Sequence, residues 1–185
     1  MIETGDLKKG STIEIDGNLY QVIEVDHLKI GRGSAQVRMK LRDVRAGHII
    51  DKSVQAGTRF PRARVERQPA QYLYPQDTLY YFMNTETYDQ FPVGKAMLDD
   101  ALNYIVENSE CNLLMYGDEV IGIELPAAVT LEVTETDPGE RGNTAQGGTK
   151  PAKLETGLVV QVPLFINTGD RLKVDTRTGA YLGRD

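Results

Sequence analysis

The chain has 185 residues, a formal net charge of −6 and 40% hydrophobic residues, a globular composition that excludes a disordered or fibrous chain. Its one cysteine, Cys111, excludes an internal disulfide. No apolar run approaches the roughly 18 residues of a membrane helix, and residues 1–6 are acidic where a secretory signal is basic. We therefore expect a cytoplasmic protein without a membrane partner.

Basic residues are concentrated in the first third of the chain. Residues 1–64 hold 12 basic and 8 acidic side chains, residues 65–128 hold 2 and 11, and residues 129–185 hold 7 and 8. Within the first block, residues 29–64 hold 10 basic and 2 acidic side chains. A polyanionic partner relieves the self-repulsion of so basic a segment. The asymmetry favours nucleic acid, bound through one end of the molecule, over a solvated charged face.

Residues 1–64 predict about five short strands and a small SH3-like barrel. Strands are predicted near Ile13 and over 19–25, with a turn between them and further turns at 45–47 and 55–57. Residues 34–42 alternate strictly between apolar and polar side chains, which puts every second residue on the solvent face of one strand. The cations on that face are Arg38, Lys40 and Arg42.

The rest of the chain predicts two more small barrels. Residues 65–126 predict strands over 71–74, 79–84, 112–116 and 119–125, with one short helix between Met97 and Ile105, as in an OB-fold. Residues 127–185 predict strands over 129–134, 158–166, 171–175 and near Tyr181, with a long polar loop over 137–149. The expected domains are therefore 1–64, 65–126 and 127–185.

The sequence offers little for catalysis. It has two histidines, His27 and His48, and one cysteine, so a zinc site would need carboxylates, and these show no ligand spacing. No nucleophile-elbow pattern is present. We expect no catalytic residue, no metal and no cofactor, and we do not expect an enzyme.

Residues 29–34 differ from an ordinary turn. They lie between two predicted strands, as the tip of a long hairpin. Gly31 and Gly33 leave Arg32 as the lone large side chain between them, and Lys29 and Ser34 flank the group. The glycine spacing is not that of a phosphate-binding Walker loop. A single cation at a hairpin tip, beside a cationic strand, suits insertion into a narrow anionic site.

Several longer stretches carry a family resemblance. They are Lys29-Ile30-Gly31-Arg32-Gly33-Ser34-Ala35, Gln71-Tyr72-Leu73-Tyr74, Pro138 to Thr144, Lys150 to Gly157, Val160 to Phe165, Asp175 to Gly179 and Tyr181 to Arg184. On these residues the chain resembles bacterial elongation factor P of the arginine-tip type, from end to end.

The resemblance implies an all-β protein of three small barrels in an L-shaped, tRNA-like arrangement. An SH3-like, or KOW-like, domain would be followed by two OB-folds. It further implies a monomeric translation factor that binds the ribosome between the P and E sites and relieves stalling at consecutive prolines by positioning the peptidyl-tRNA. The implied partners are both ribosomal subunits, rRNA, the P-site peptidyl-tRNA and mRNA at the E-site codon.

The resemblance also assigns roles to residues. Arg32 would point into the peptidyl-transferase centre, at the end of a tip loop formed with Lys29, Gly31, Gly33 and Ser34. Tyr181 and Arg184 match positions near the anticodon stem and the small subunit. The loop that would approach the E-site codon consists of Gly139, Glu140, Arg141, Gly142, Asn143 and Thr144. The basic strand with Arg38, Lys40 and Arg42 would face RNA.

One residue departs from the family pattern. Members with a rhamnosylated arginine tip commonly have proline where this chain has Ile30. Arg32 matches the modified position, and both a rhamnosylated and a bare Arg32 are compatible with the sequence. Modification would add an arginine rhamnosyltransferase to the partners. Bare arginine stays charged and retains contacts to phosphate or ribose oxygens.

Other classes of function compete with this interpretation. A paralogue of elongation factor P with a different target preference would share the architecture. A free RNA-binding module of SH3-like and OB-like barrels would never enter a ribosome. An enzyme ranks third.

Overall fold

A computed structural model describes residues 1–29, 31–139 and 148–185. Within these ranges helix is limited to the 3-10 turns Thr4–Asp6 and Asp99–Asn103 and to α1, Lys95–Leu98, and the all-β prediction is confirmed. None of these helices has the length and apolar character needed to cross a membrane. The described strands are β1 Ile2–Glu3, β2 Thr12–Ile15, β3 Asn18–Leu28, β4 Gln36–Asp43, β5 Ile49–Gln55, β6 Arg59–Phe60, β7 Glu66–Gln76, β8 Leu79–Asn84, β9 Gln90–Gly94, β10 Glu110–Tyr116, β11 Glu119–Glu124, β12 Ala128–Thr136, β13 Thr149–Leu154, β14 Val159–Pro163, β15 Arg171–Asp175 and β16 Tyr181–Arg184.

The described residues divide into two compact units, and their strands form small sheets. One unit contains residues 1–68 and 113–122, and the other contains 69–112 and 123–185. The strand orders are β2-β3-β4-β5, β1-β6, β11-β10-β7-β8-β9 and β14-β13-β12-β15-β16. The domain boundaries at 64 and 126 and the L-shaped arrangement stay predictions.

The N-terminal sheet is organised around the long hairpin of β3 and β4. These strands pair from Tyr20 opposite Asp43 to Leu28 opposite Gln36. The predicted alternation in β4 is confirmed, since Val37, Met39 and Leu41 are buried in the core of this unit while the residues between them reach solvent.

The sheet that contains β7 differs from prediction at two places. Strand β9 was not predicted, because Pro92 interrupts its pattern; proline is tolerated on an edge strand such as this one. The predicted helix from Met97 to Ile105 is wrong as a continuous element. Asp99 takes a left-handed φ of 44° and divides α1 from a 3-10 turn. Leu98 and Ile105 are buried all the same.

The C-terminal sheet contains a strand that the sequence analysis missed. In β13 the buried positions are Lys150, Ala152 and Leu154, so a lysine occupies an inward place in the alternation. Pro151 follows Lys150, and an inward lysine next to a proline weakens the strand pattern in the sequence. The strand predicted over 158–166 ends earlier, at Pro163, and a turn follows in which Ile166 N donates to Pro163 O at 3.2 Å.

Tyr104 belongs to the core of the C-terminal sheet although it lies far from that sheet in sequence. Its side chain is buried among Leu131, Val133 and other core residues. One residue earlier, the carbonyl of Asn103 accepts a hydrogen bond from Thr156 Oγ1 at 2.7 Å. Residues 103–104 are thereby fixed to the C-terminal sheet by an aromatic ring and a hydrogen bond.

In the first unit, Arg45 and Glu119 form a two-pronged ion pair. Arg45 Nε and Nη2 donate to the two carboxylate oxygens of Glu119 at 2.9 and 3.0 Å. The hydrogen bond from Arg45 is the main cause that lowers the pKa of Glu119 from its usual 4.5, and the same bond raises the pKa of Arg45. The same unit contains a small buried cluster of Leu19, Ala63 and Ile121.

This ion pair predicts a pH-dependent contribution to stability. Because the pKa of Glu119 is lower when folded, the stabilisation is fully present above about pH 4.5 and is lost as the pH falls through the folded pKa. Glu119→Gln is therefore expected to lower the urea midpoint at pH 7, and its difference from wild type should shrink as the pH falls below about 4.5. Asp118→Asn, at an exposed neighbour, is the control. A gap between wild type and Glu119→Gln that stays constant with pH would contradict the prediction.

Candidate nucleic-acid interface

The β3–β4 hairpin presents Arg32 at its end. Pairing of the two strands extends to Leu28 and Gln36, the last residues before the loop. Lys29 and residues 31–34 are exposed, and Ile30 lies outside the described residues. Gly31 has a φ of 51°, a left-handed conformation that side chains other than glycine rarely adopt. The paired strands β3 and β4 thus hold the terminal loop, and the cationic side chain of Arg32 is exposed in that loop.

The cations of β4 lie on the outer face of the sheet, as the alternation predicts. The strands beside them carry acids that face the same way. Glu24 and Asp26 of β3 lie opposite Lys40 and Arg38, and Asp51 of β5 lies opposite Lys40. Lys40 Nζ is 3.6 Å from Glu24 Oε2. These five side chains line a shallow groove of about 210 Å³.

This groove has mixed charge, which the count over residues 29–64 does not reveal. Two of the three acids, Glu24 and Asp26, precede that window in sequence and meet the cations only through strand pairing. The five side chains of the groove sum to a net charge of −1, whereas residues 29–64 sum to +8. The face suits short-range, position-specific contacts better than general attraction of a polyanion.

At the C-terminal sheet, the beginning of the 137–149 loop packs against the chain after β14. A Cβ on Gly139 would lie 2.1 Å from the backbone oxygen of Leu164, so only glycine fits without a backbone shift. Residue 165 follows, and its ring lies 5.6 Å from the guanidinium carbon of Arg184. Glu140, Arg141, Gly142, Asn143 and Thr144 lie outside the described residues.

The structure thus brings some of the predicted site residues together and leaves others apart. Gly139 and Arg184 approach the same short segment, Leu164 and Phe165. Tyr181, on β16, is half-buried and packs against the core of the C-terminal sheet. Phe165 was missed as a candidate site residue. Val160 and Val162 are buried, and continuing their alternation along the sequence would place residue 164 inside and residue 165 on the outside.

Lys150 is a second residue that sequence analysis missed as part of this region. Its side chain is buried, and Nζ donates to the backbone oxygen of Asp137 at 2.5 Å. The hydrogen bond joins Lys150, the second residue of β13, to Asp137, the residue directly after β12. The two ends of the 137–149 loop are therefore linked to each other by this hydrogen bond.

Removing this ammonium group is expected to destabilise the protein. Lys150→Met keeps most of the side-chain volume but removes a charged donor, which leaves the Asp137 oxygen without it. We expect the free energy of unfolding to fall by about 1–3 kcal/mol, measured by urea denaturation. Lys153→Met, on an exposed position of the same strand, should change it by no more than about 0.5 kcal/mol. Equal losses from the two variants would show that Lys150 has no special role.

The described residues contain no group of three or more His, Cys, Asp or Glu side chains arranged to hold a metal ion. Cys111 is buried in β10, and burial raises the pKa of its thiol to about 12. A thiol with such a pKa is protonated at neutral pH and is a poor nucleophile.

Comparison with known proteins covers the chain from end to end. Three family descriptions match in order: "Elongation factor P (EF-P) KOW-like domain" at residues 3–60, "Elongation factor P (EF-P) OB domain" at 65–123, and "Elongation factor P, C-terminal" at 129–184. These descriptions agree with the prediction of a KOW-like domain followed by OB-folds.

Full-length relatives are also similar. Elongation factor P of Pelotomaculum thermopropionicum is 53% identical over 184 residues, and that of Carboxydothermus hydrogenoformans is 52% identical over 184, each covering 100% of both chains. A solved structure, "Eukaryotic translation initiation factor 5A from Methanococcus jannaschii", matches with a TM-score of 0.53 and 17% identity, over 67% of this chain and 91% of that one; this likeness concerns the fold alone. Because the three family descriptions match in order and the two full-length relatives are 53% and 52% identical, the chain belongs to the elongation factor P family of translation elongation factors.

Proposed function

We propose that the protein binds the ribosome between the P and E sites and stimulates peptide-bond formation when consecutive prolines stall it. The observation that carries the proposal is the β3–β4 hairpin, with Arg32 exposed in its terminal loop. Family membership supports the assignment to translation. The proposed partners are both ribosomal subunits, rRNA and the P-site peptidyl-tRNA, with the protein acting as a cytoplasmic monomer.

The proposed mechanism requires positioning and no catalytic group from the protein. The ring of proline fixes φ and makes the nascent peptide and the incoming amine difficult to align. A factor that holds the peptidyl-tRNA in a productive geometry lowers the entropic part of the barrier. The ribosome then carries out the bond formation itself, so the protein is not an enzyme.

The remaining proposed contacts involve the C-terminal sheet and strand β4. The loop over residues 139–144 would approach mRNA at the E-site codon, with its base held by the contact of Gly139 with Leu164 and by Lys150. Arg184 would contact RNA near the small subunit, and the half-buried Tyr181 would support it. Arg38, Lys40 and Arg42 would each contribute an individual contact to RNA. Acids of the neighbouring strands lie opposite Arg38 and Lys40, so these two cations would not attract RNA from a distance.

Two measurements test the proposal. Purified protein should co-sediment with 70S ribosomes, and it should raise the yield of a reporter that contains three consecutive prolines but not of a proline-free reporter. Ribosome binding without a proline-dependent gain would favour a paralogue with a different target. Absence of ribosome binding, with binding to free RNA retained, would favour a free RNA-binding module.

Modification of Arg32 is a separate part of the proposal. A rhamnosylated Arg32 would need an arginine rhamnosyltransferase as a further partner, whereas a bare guanidinium would act through charge and hydrogen bonds. The intact mass of protein isolated from its native cells distinguishes the two forms, because a deoxyhexose adds a fixed increment that a peptide map assigns to one residue.

A further inference from the structure

Phe165 is a large apolar side chain that the C-terminal sheet leaves uncovered. Its exposed fraction is 58%, whereas Ile166 beside it is fully buried. Single exposed apolar residues are common on protein surfaces, so exposure alone indicates nothing. What distinguishes Phe165 is the arrangement of charged and polar groups around its ring.

A guanidinium group is held next to that ring. The central carbon of Arg184 lies 5.6 Å from the ring centre, within the range of a cation–π contact. Arg184 Nη1 also lies 3.8 Å from Asp170 Oδ2. A long, exposed side chain thus has two partners that restrict it, and its guanidinium group is held beside the ring.

The backbone that carries the ring is tied to the same carboxylate. Asp170 Oδ2 accepts a hydrogen bond from Asn167 N at 2.9 Å, and Asn167 Nδ2 donates to the backbone oxygen of Phe165 at 3.3 Å. Asp170 therefore connects the turn after Phe165 with Arg184. Ring and guanidinium belong to one polar network, which reduces the entropy that a ligand would have to remove.

The pair combines an exposed aromatic face with a guanidinium group. Gly139 approaches Leu164, the residue before Phe165. An aromatic ring with a cation beside it is a usual combination for a nucleotide, whose base stacks while its phosphate meets the positive charge.

We propose that Phe165 and Arg184 form a stacking site for an unpaired base of RNA. Arg184 covers part of the ring, and the base would lie on the exposed remainder. The inference rests on the proposed function, because the ribosome and its transfer RNAs supply the RNA. It adds a base contact at Phe165 to the RNA contact already proposed for Arg184.

The test compares the ribosome affinity of the full-length protein and variants of Phe165. Phe165→Ala should weaken binding about 5- to 150-fold, the range expected when one base stack is lost. Phe165→Leu should lose as much, since leucine keeps apolar area but has no aromatic face. Phe165→Trp should bind at least as well as wild type. Val159→Ser, at an equally exposed apolar position of the same sheet, should bind normally.

Two further readouts identify the partner. Stacking carries no charge, so Phe165→Ala should leave the salt dependence of binding unchanged, whereas Arg184→Gln should reduce it. Dimethyl sulfate probing should reveal an RNA base that wild type protects and Phe165→Ala does not.

Three results would overturn the inference or its basis. Wild-type affinity of Phe165→Ala refutes the stacking site and leaves the proposed function intact. Wild-type affinity of Phe165→Leu together with loss in Phe165→Ala shows an apolar protein contact instead of a base. Failure of the wild-type protein to bind ribosomes refutes both proposals.

Discussion

Replacing Arg32 with alanine is expected to abolish stimulation of translation through three consecutive prolines. The side chain is exposed in the terminal loop of the β3–β4 hairpin, where it contributes nothing to the core. The free energy of unfolding should therefore change by no more than about 0.5 kcal/mol. Reporter yield with and without three prolines, measured beside urea denaturation, separates loss of function from loss of fold.

Two variants make the Arg32 result specific. Lys9→Ala removes another exposed cation from a turn of the same unit, and it should keep full stimulation. Arg32→Lys retains a positive charge but removes the planar guanidinium and the group that would carry a sugar. Full stimulation by Arg32→Lys would mean that charge alone suffices, and full stimulation by Arg32→Ala would refute the role of this residue.

The largest loss of stability is expected from Tyr104→Ala. The ring is 8% exposed and packs in the core formed by the C-terminal sheet. Truncating a buried aromatic side chain typically costs about 3–5 kcal/mol, through lost apolar contacts and the cavity left behind. Urea denaturation followed by circular dichroism should show this loss, and residues 123–185 should become more sensitive to proteolysis.

Other tyrosine variants serve as controls for this effect. Tyr88 is 71% exposed, so Tyr88→Ala should change the free energy of unfolding by no more than about 0.5 kcal/mol. Tyr104→Phe keeps the ring and removes only the hydroxyl group, and it should retain most of the stability. A Tyr104→Ala variant as stable as Tyr88→Ala would show that the ring does not hold residues 103–104 to the C-terminal sheet.

Much of the fold could be predicted because alternation reports which face of a strand is buried. The pattern over residues 34–42 correctly separated the buried Val37, Met39 and Leu41 from the cations between them. The alternation failed where a polar residue occupies a buried position of a strand. Lys150 occupies an inward position because its ammonium group finds the oxygen of Asp137, and no local pattern reveals a partner 13 residues away.

The candidate site was harder to predict, because its properties depend on residues distant in sequence. Arg32 could be found from its flanking glycines, which are local. The acids that face Arg38 and Lys40 could not be found by counting charges along the chain, since Glu24 and Asp26 reach them through strand pairing. The contact between Phe165 and Arg184 likewise joins two segments that only the fold of the C-terminal sheet brings together.

The mixed charge of the groove on β3, β4 and β5 has a consequence for how the protein searches for its target. Each cation with a carboxylate opposite it produces a dipolar field, which falls off more steeply with distance than that of an isolated charge. At physiological salt, where screening acts within about 8 Å, such a surface attracts passing RNA weakly. Encounters with bulk messenger and transfer RNA would be brief, and the protein would remain free to sample ribosomes in a cell crowded with polyanions.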